Sequence, residues 1–159
     1  MLKAVPQLDK TDKAILKQLQ ANSRIPNSEL ANKVKLSASA CLKRVNRLWK
    51  TGTIKQFAAV INAAELGLEI TTFTFVALSP HNRKVAAEFV KRINAIDYIL
   101  ECYHVTGEFD YLLKIVASDI SAYRDFIIDE LLGIAGVSRL ETLVVLKPEK
   151  QTFNLPIGK

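Results

Sequence analysis

Cysteine is nearly absent from this sequence: there are two, Cys41 and Cys102, in 159 residues. Two thiols in separate predicted elements cannot staple a small disulfide scaffold, and neither belongs to a CxxC pair. Histidine is equally scarce, with His81 and His104 alone, so the clustered ligands of a zinc site are missing. Both cysteines read as reduced core thiols of a cytoplasmic protein, and no metal or other cofactor is expected. Long hydrophobic runs are missing too. No stretch approaches the ~18–20 residues that span a bilayer, and the start, MLKAVPQLDK, lacks the apolar core of a secretion signal. No Ser/His/Asp set, paired buried carboxylates or phosphate-cradling glycine loop is visible, so no enzyme is expected. What remains is a chain that is 49% hydrophobic, enough to bury a real core.

Acidic residues are scarce in one part of the chain only. Residues 1–60 carry 12 Lys/Arg against 3 Asp/Glu, whereas residues 61–159 carry 10 against 13. A merely solvated surface mixes both signs along its length. Positive charge concentrated in one segment implies a polyanionic partner there, and the acidic remainder implies a second domain with a different task.

The cationic segment centres on 27–49. In its first half Leu30, Ala31 and Val34 form a short core stripe, and Lys35–Leu36–Ser37 breaks the pattern. Ser37 is placed to cap a following helix in which Cys41, Leu42, Val45, Leu48 and Trp49 share an apolar arc. Ser39, Lys43, Asn46, Arg47 and Lys50 fall on the opposite arc, with Arg44 at its border. One face buries and the other is cationic, on a helix slim enough for a DNA major groove. Upstream, Asp9 and Asp12 precede Ile15, Leu16 and Leu19, which predicts a helix from about Asp9 to Ala21. Three such helices make a helix-turn-helix domain. Thr51–Gly52–Thr53 stops the third helix, residues 54–61 look extended as a wing or an exit strand, and 62–69 read as a connector with room for one helical turn.

From Ile70 the period changes. Residues 70–78 are β-branched and aromatic, and predict a strand. Residues 82–95 put Val85, Ala86, Phe89, Val90 and Ile93 on one helix side. Strands follow at 97–106 and 110–117 around a short 107–109 turn, then a helix at 119–132 with Tyr123, Ile127 and Leu131 in step, and a strand at 138–147. The order βαββαβ is the ferredoxin-like arrangement, so the fold class is α+β. Expected domains are 1–53 (helix-turn-helix), 54–69 (linker strand and connector) and 70–159 (ferredoxin-like). Two helices cover one sheet face, and burying the other calls for a dimer.

The segments LDKTDKAIL, SRIPNSELANKVKLSASACLKRVNRL and ECYHVTGEFDYLLKIVASDISAYRDF, in this order, resemble the Lrp/AsnC ("feast/famine") transcriptional regulators, above all the leucine-responsive branch. The resemblance covers essentially the whole chain. It implies a winged helix-turn-helix domain followed by an effector-binding and oligomerisation domain. It also implies dimers that assemble further, commonly to octamers that wrap double-stranded DNA. The effectors are usually amino acids, such as leucine or methionine, bound where dimers meet. Three positions depart from the family pattern: Ser23 and Lys35 stand where glycine is usual, and Ala38 where proline is common. Lys35 would occupy a backbone position easier for glycine, at a cost of about 1 kcal/mol if its φ is positive.

Among candidate DNA contacts, Lys43 and Arg47 can reach base edges, while Ser37 and Ser39 suit phosphates. Arg44 serves either DNA or an acid inside the domain. Gly107, Glu108, Asp110 and Tyr111, read alone, are a hairpin turn. The resemblance makes them the effector site, with backbone amides for an α-carboxylate and Asp110 for an ammonium group. Trp49 reads as core and His104 as a packed sheet residue. The expected function is a sequence-specific regulator whose assembly or DNA affinity responds to an amino acid. The alternatives are an architectural, nucleoid-type DNA-binding protein and an Lrp-like haem-pathway decarboxylase.

Overall fold

A computed structural model of the protein describes residues 7–158, which divide into two compact units: 7–60 with 150–158, and 61–149. Met1–Pro6, counted above with the first domain and as free of a secretion signal, and Lys159 lie outside the described residues.

The first unit is built on three helices. Helix α1 (Lys10–Ala21) starts at a reciprocal capping box: the Asp9 carboxylate accepts from the Asp12 amide at 2.7 Å, and the Asp12 carboxylate from the Asp9 amide at 3.3 Å. Helix α2 (Asn27–Lys33) and helix α3 (Ala38–Lys50) are joined by a turn at 34–37. Ser37 caps α3, its Oγ accepting from the Ala40 amide, and Asn27 Nδ2 donates to the Ala38 carbonyl across the turn. Ile15, Ile25, Leu30, Ala31, Cys41 and Leu48 close the core.

The buried arc of α3 differs from the one expected. Cys41 and Leu48 are fully buried and Val45 partly so, but Leu42 and Trp49 are half exposed. The buried stripe includes the flank of Arg44, which reaches α1, and that rotation leaves Leu42 and Trp49 about a quarter-turn outside. Trp49 is therefore not a core residue. It packs edge-on against Phe57, with ring centroids 5.7 Å apart. Residues 55–60 form neither helix nor strand, and the Ile54 amide ties their start back to the Leu48 carbonyl. Residues 150–158 lie against this unit. The Gln20 side chain pairs with both backbone groups of Leu155, at 2.7 and 3.1 Å.

The second unit is a four-stranded antiparallel sheet. Strands β1 (Ile70–Leu78), β2 (Ile99–His104), β3 (Tyr111–Ala117) and β4 (Val137–Val144) lie in the order β2-β3-β1-β4. Helix α4 (Arg83–Ile93) and helix α5 (Ile120–Phe126) cover one face. Alternation along β1 sends Thr72, Thr74, Val76 and Leu78 into the core with Leu113, Ile115, Phe89, Ile93 and Leu131. On the other face Phe73, Phe75 and Leu112 are only partly buried and Tyr103 and Leu143 are half exposed.

The expected helix at 119–132 changes character midway. Residues Ile127–Leu131 form a single π turn, in which the Leu132 amide reaches the Ile127 carbonyl. The extra residue brings Tyr123 and Leu131, eight positions apart, onto one buried stripe. The connector at 62–69 holds the expected helical turn, a 3₁₀ segment at Ala63–Leu66.

Lys35 adopts φ +55°, the left-handed conformation its place in the turn suggested. Substituting Lys35→Gly should raise stability by up to about 1 kcal/mol, since relief of the left-handed penalty outweighs the entropy that glycine adds to the unfolded chain. Chemical denaturation that shows Lys35→Gly less stable than the parent would refute this account of the turn.

Candidate functional site

Helix α3 presents Ser39, Lys43, Asn46, Arg47 and Lys50 on its exposed side. They are held there because the opposite side is anchored by Cys41, Leu48 and the α3–α1 contacts. Ser37 is committed to the helix cap, with the Ser39 hydroxyl 3.3 Å from its own. Lys43 and Lys50 form no ion pair among the described residues, so their ammonium groups are available to a phosphate backbone.

The two arginines differ from the lysines. Arg44 Nη1 lies 2.6 Å from Asp9 Oδ2 and 2.9 Å from Asp12 Oδ1, and Arg47 Nη2 donates to Asp12 Oδ2. The choice left open for Arg44 falls to acids inside the unit. Sequence reasoning took Asp12 for a first-turn acid only. Nothing in local spacing links it to residues 32 and 35 positions away, and the one available signal was the rarity of acids in this segment. The Arg44 guanidinium holds the Asp9 carboxyl below the usual carboxylate range, with the Asp12 amide adding to the effect.

In the second unit the turn between β2 and β3 is anchored on several sides. Gly107 has φ +123°, a conformation side chains other than glycine rarely adopt, with open space around it. Asp110 Oδ2 accepts from the Leu78 amide at 2.7 Å, and its Oδ1 lies 3.2 Å from His81 Nδ1. Glu108 pairs with Arg139 of β4, whose guanidinium also sits 4.9 Å over the Phe109 ring. Phe109 in turn lies 5.3 Å from Phe75. Among the described residues the amides of Gly107, Glu108 and Phe109 have no hydrogen-bond partner.

Beside the turn lies a cleft of about 320 Å³, lined by His81, Asn82, Arg83, His104, Asp110 and Tyr111 with Leu78 and Ala86. Tyr111 is buried against Phe89, its ring centroid 4.8 Å away, and burial pushes its phenol up. His104 is exposed at the end of an edge strand and stacks on Tyr111 at 5.0 Å, so it is not the packed sheet residue expected. The turn thus brings Gly107, Glu108 and Asp110 together, but Glu108 faces Arg139 while Asp110 faces the cleft. His81 and Arg139 were missed because they come from a corner and a strand far away in sequence.

Two family models cover most of the chain: the winged helix-turn-helix DNA-binding model matches residues 8–55 and the Lrp/AsnC ligand binding domain residues 71–155. The chain belongs to the Lrp/AsnC family of transcriptional regulators. It is 44% identical over 152 residues to transcriptional regulator AzlB of Bacillus subtilis, covering 96% of this chain and 97% of that one. It is 38% identical over 150 residues to the leucine-responsive regulatory protein of Escherichia coli K12, covering 94% and 92%. A transcriptional regulator of Neisseria meningitidis solved as its L-Met complex superposes with TM-score 0.89 at 36% identity, covering 94% of this chain and 97% of that chain. The resemblance in the motifs and the α+β class are therefore confirmed. Like other Lrp/AsnC chains it joins a winged helix-turn-helix to a ligand-binding sheet domain. No helix among the described residues is long and apolar enough to cross a membrane, and none of their His, Cys, Asp and Glu side chains group in threes as metal ligands.

The Asp9 shift has a consequence for acid stability. A lowered folded-state value means that ionised Asp9 stabilises the fold at pH above the ordinary carboxylate range and that the contribution is lost as pH falls through the folded value. Thermal midpoints measured from about pH 6 down to about pH 2.5 should therefore fall less steeply in Asp9→Asn than in the parent. Parallel curves would exclude the Asp9–Arg44 pair as a source of acid sensitivity.

Proposed function

We propose that this chain is a sequence-specific DNA-binding regulator whose DNA affinity or assembly responds to an amino acid with an aliphatic side chain, leucine or methionine being the leading choices. The observation that carries it is the pairing of an anchored helix with an exposed polar and cationic side, in a family of DNA-binding regulators, with a ligand-binding domain that holds an anchored turn with unpaired amides beside a cleft. In this reading Lys43 and Arg47 reach base edges and Ser39 a phosphate. Ser37 acts through its cap and Arg44 through its brace, so both support recognition from within the protein.

At the turn, the amides around Gly107 hold the effector carboxylate and Asp110 its ammonium group. Leu78, Ala86 and the Tyr111 face offer apolar walls. Glu108 fixes the turn through Arg139. The L-Met complex of the Neisseria regulator and the leucine-responsive relatives support this ligand class. The uncovered sheet face, with Phe73, Phe75, Leu112, Tyr103 and Leu143, suits a second copy of the chain, and dimers assemble further, to an octamer in this reading. The protein works in the cytoplasm, without cofactor, and carries out no catalysis.

The test is selection of duplexes from a random pool by the purified chain, with and without an amino-acid mixture. A recovered consensus that shifts in yield with leucine or methionine is the expected result. Uniform recovery would favour the architectural reading, and no recovery, combined with turnover of a haem precursor, the enzymatic one. On a recovered site, Arg47→Ala should cost roughly 1–3 kcal/mol of binding if Arg47 reads a guanine. Gly107→Ala should leave basal DNA binding intact and weaken the amino-acid response. Full response in Gly107→Ala would remove the turn from the effector site.

A further inference from the structure

The contacts of α3 divide its cations into two classes. Lys43 and Lys50 reach solvent with no partner among the described residues, whereas Arg44 and Arg47, one turn apart, converge on Asp12. Asp12 is 0% exposed, so its carboxylate is withdrawn from solvent, and its partners are the two arginines and the Asp9 amide of the capping box. One oxygen takes Arg44, which Asp9 also holds. The other takes a single Nη of Arg47, whose side chain remains 52% exposed. The planar guanidinium of Arg47 therefore has one nitrogen held by the protein and further donors free of partners among the described residues, on the exposed side that also carries Lys43, Asn46 and Lys50.

We propose that Asp12, on a helix that makes no DNA contact in this reading, is a specificity-determining positioning residue: it fixes the Arg47 fork for a base edge. The proposal rests on the DNA-binding reading above. A free arginine samples many rotamers, and binding must order it. Here the fold orders the side chain before DNA arrives, so affinity for the right base carries less of that cost. Asp12 simultaneously places a negative charge near the DNA-facing side, which disfavours phosphate contacts of every sequence alike. The two effects have opposite signs: Asp12 strengthens binding to the correct site and weakens binding to all others. A residue that merely held α1 to α3 would move both affinities the same way.

The test uses the full chain, a duplex recovered by it from a random pool, and a scrambled duplex of the same length and composition. Affinities are measured at two salt concentrations for the parent, Asp12→Asn, Arg47→Ala and the double variant. Asp12→Asn should lose about tenfold on the recovered site, the size of one well-made base contact, while affinity for the scrambled duplex holds or rises. With Arg47 already absent, Asp12→Asn should leave the ratio of the two affinities unchanged. An unchanged ratio in Asp12→Asn, or an equal fall in that ratio when Arg47 is missing, would overturn the proposal. Should Asp12→Asn fail to fold by circular dichroism, Arg47→Lys decides. It keeps the charge and loses the fork, so it should retain the scrambled affinity and its salt dependence and lose the preference. Parent-like preference in Arg47→Lys would overturn the proposal. If the parent itself enriches no sequence, the regulator reading fails, and this proposal falls with it.

Discussion

A carboxylate cannot be taken out of water without a partner, and the first unit is arranged around that constraint at Asp12. Its burial requires compensation by cations, and these come from the neighbouring helix, Arg44 and Arg47, rather than from its own. The capping box reinforces the arrangement. Asp9 and Asp12 satisfy each other's amides at the start of α1 and also accept from the arginines of α3. The same two acids thus start one helix and set the rotation of another. That rotation explains why Arg44's flank lies inward and why Leu42 and Trp49, apolar as they are, lie partly in solvent.

The second unit solves a different problem, that of keeping a loop rigid without burying it. Gly107 permits the turn's backbone, Asp110 pins its end to the Leu78 amide, and the Glu108–Arg139 pair with Phe109 beneath the guanidinium pins its middle to β4. Anchors on β1 and β4 leave the amides between them unpaired among the described residues. In the proposed reading this is preorganisation: donors already aimed at a carboxylate bind it without reordering the chain. An exposed surface ion pair such as Glu108–Arg139 is worth little to stability by itself. Its value here is geometric, because it selects one conformation of a turn that glycine would otherwise leave loose.

Most of the architecture was legible because local rules and tertiary packing agree. The caps at Asp9 and Ser37, the strand periods and the βαββαβ order are all near-neighbour patterns, and each is found where expected. The failures have a common cause. Trp49, Leu42 and His104 were assigned by helical arc or strand position alone, but their burial depends on what another element offers opposite them. The pairing of Gln20 with Leu155 was not legible either, since no pattern singles out that glutamine. The π turn at 127–131 rephases a stripe that looked regular. In the candidate sites the residue types were readable and their partners were not: Asp12, His81 and Arg139 lie tens of positions from the groups they hold.

The pairing of charges also changes what the cationic segment can do. All three of its acids are engaged with cations, Asp9 and Asp12 with the arginines of α3 and Glu29 with Lys33. Of the cations that α3 contributes, the uncommitted ones are lysines. A lysine is a mobile point charge, suited to phosphates and indifferent to the plane of a base. Guanine offers two acceptors side by side, which a fork matches and an ammonium does not. The excess positive charge of residues 1–60 can therefore draw the domain to any duplex, but it cannot choose among them. In the proposed reading choice rests on few groups, above all the half-held fork of Arg47, which is tied to a second helix. A regulator built this way would gain sequence preference by restricting one arginine rather than by adding contacts.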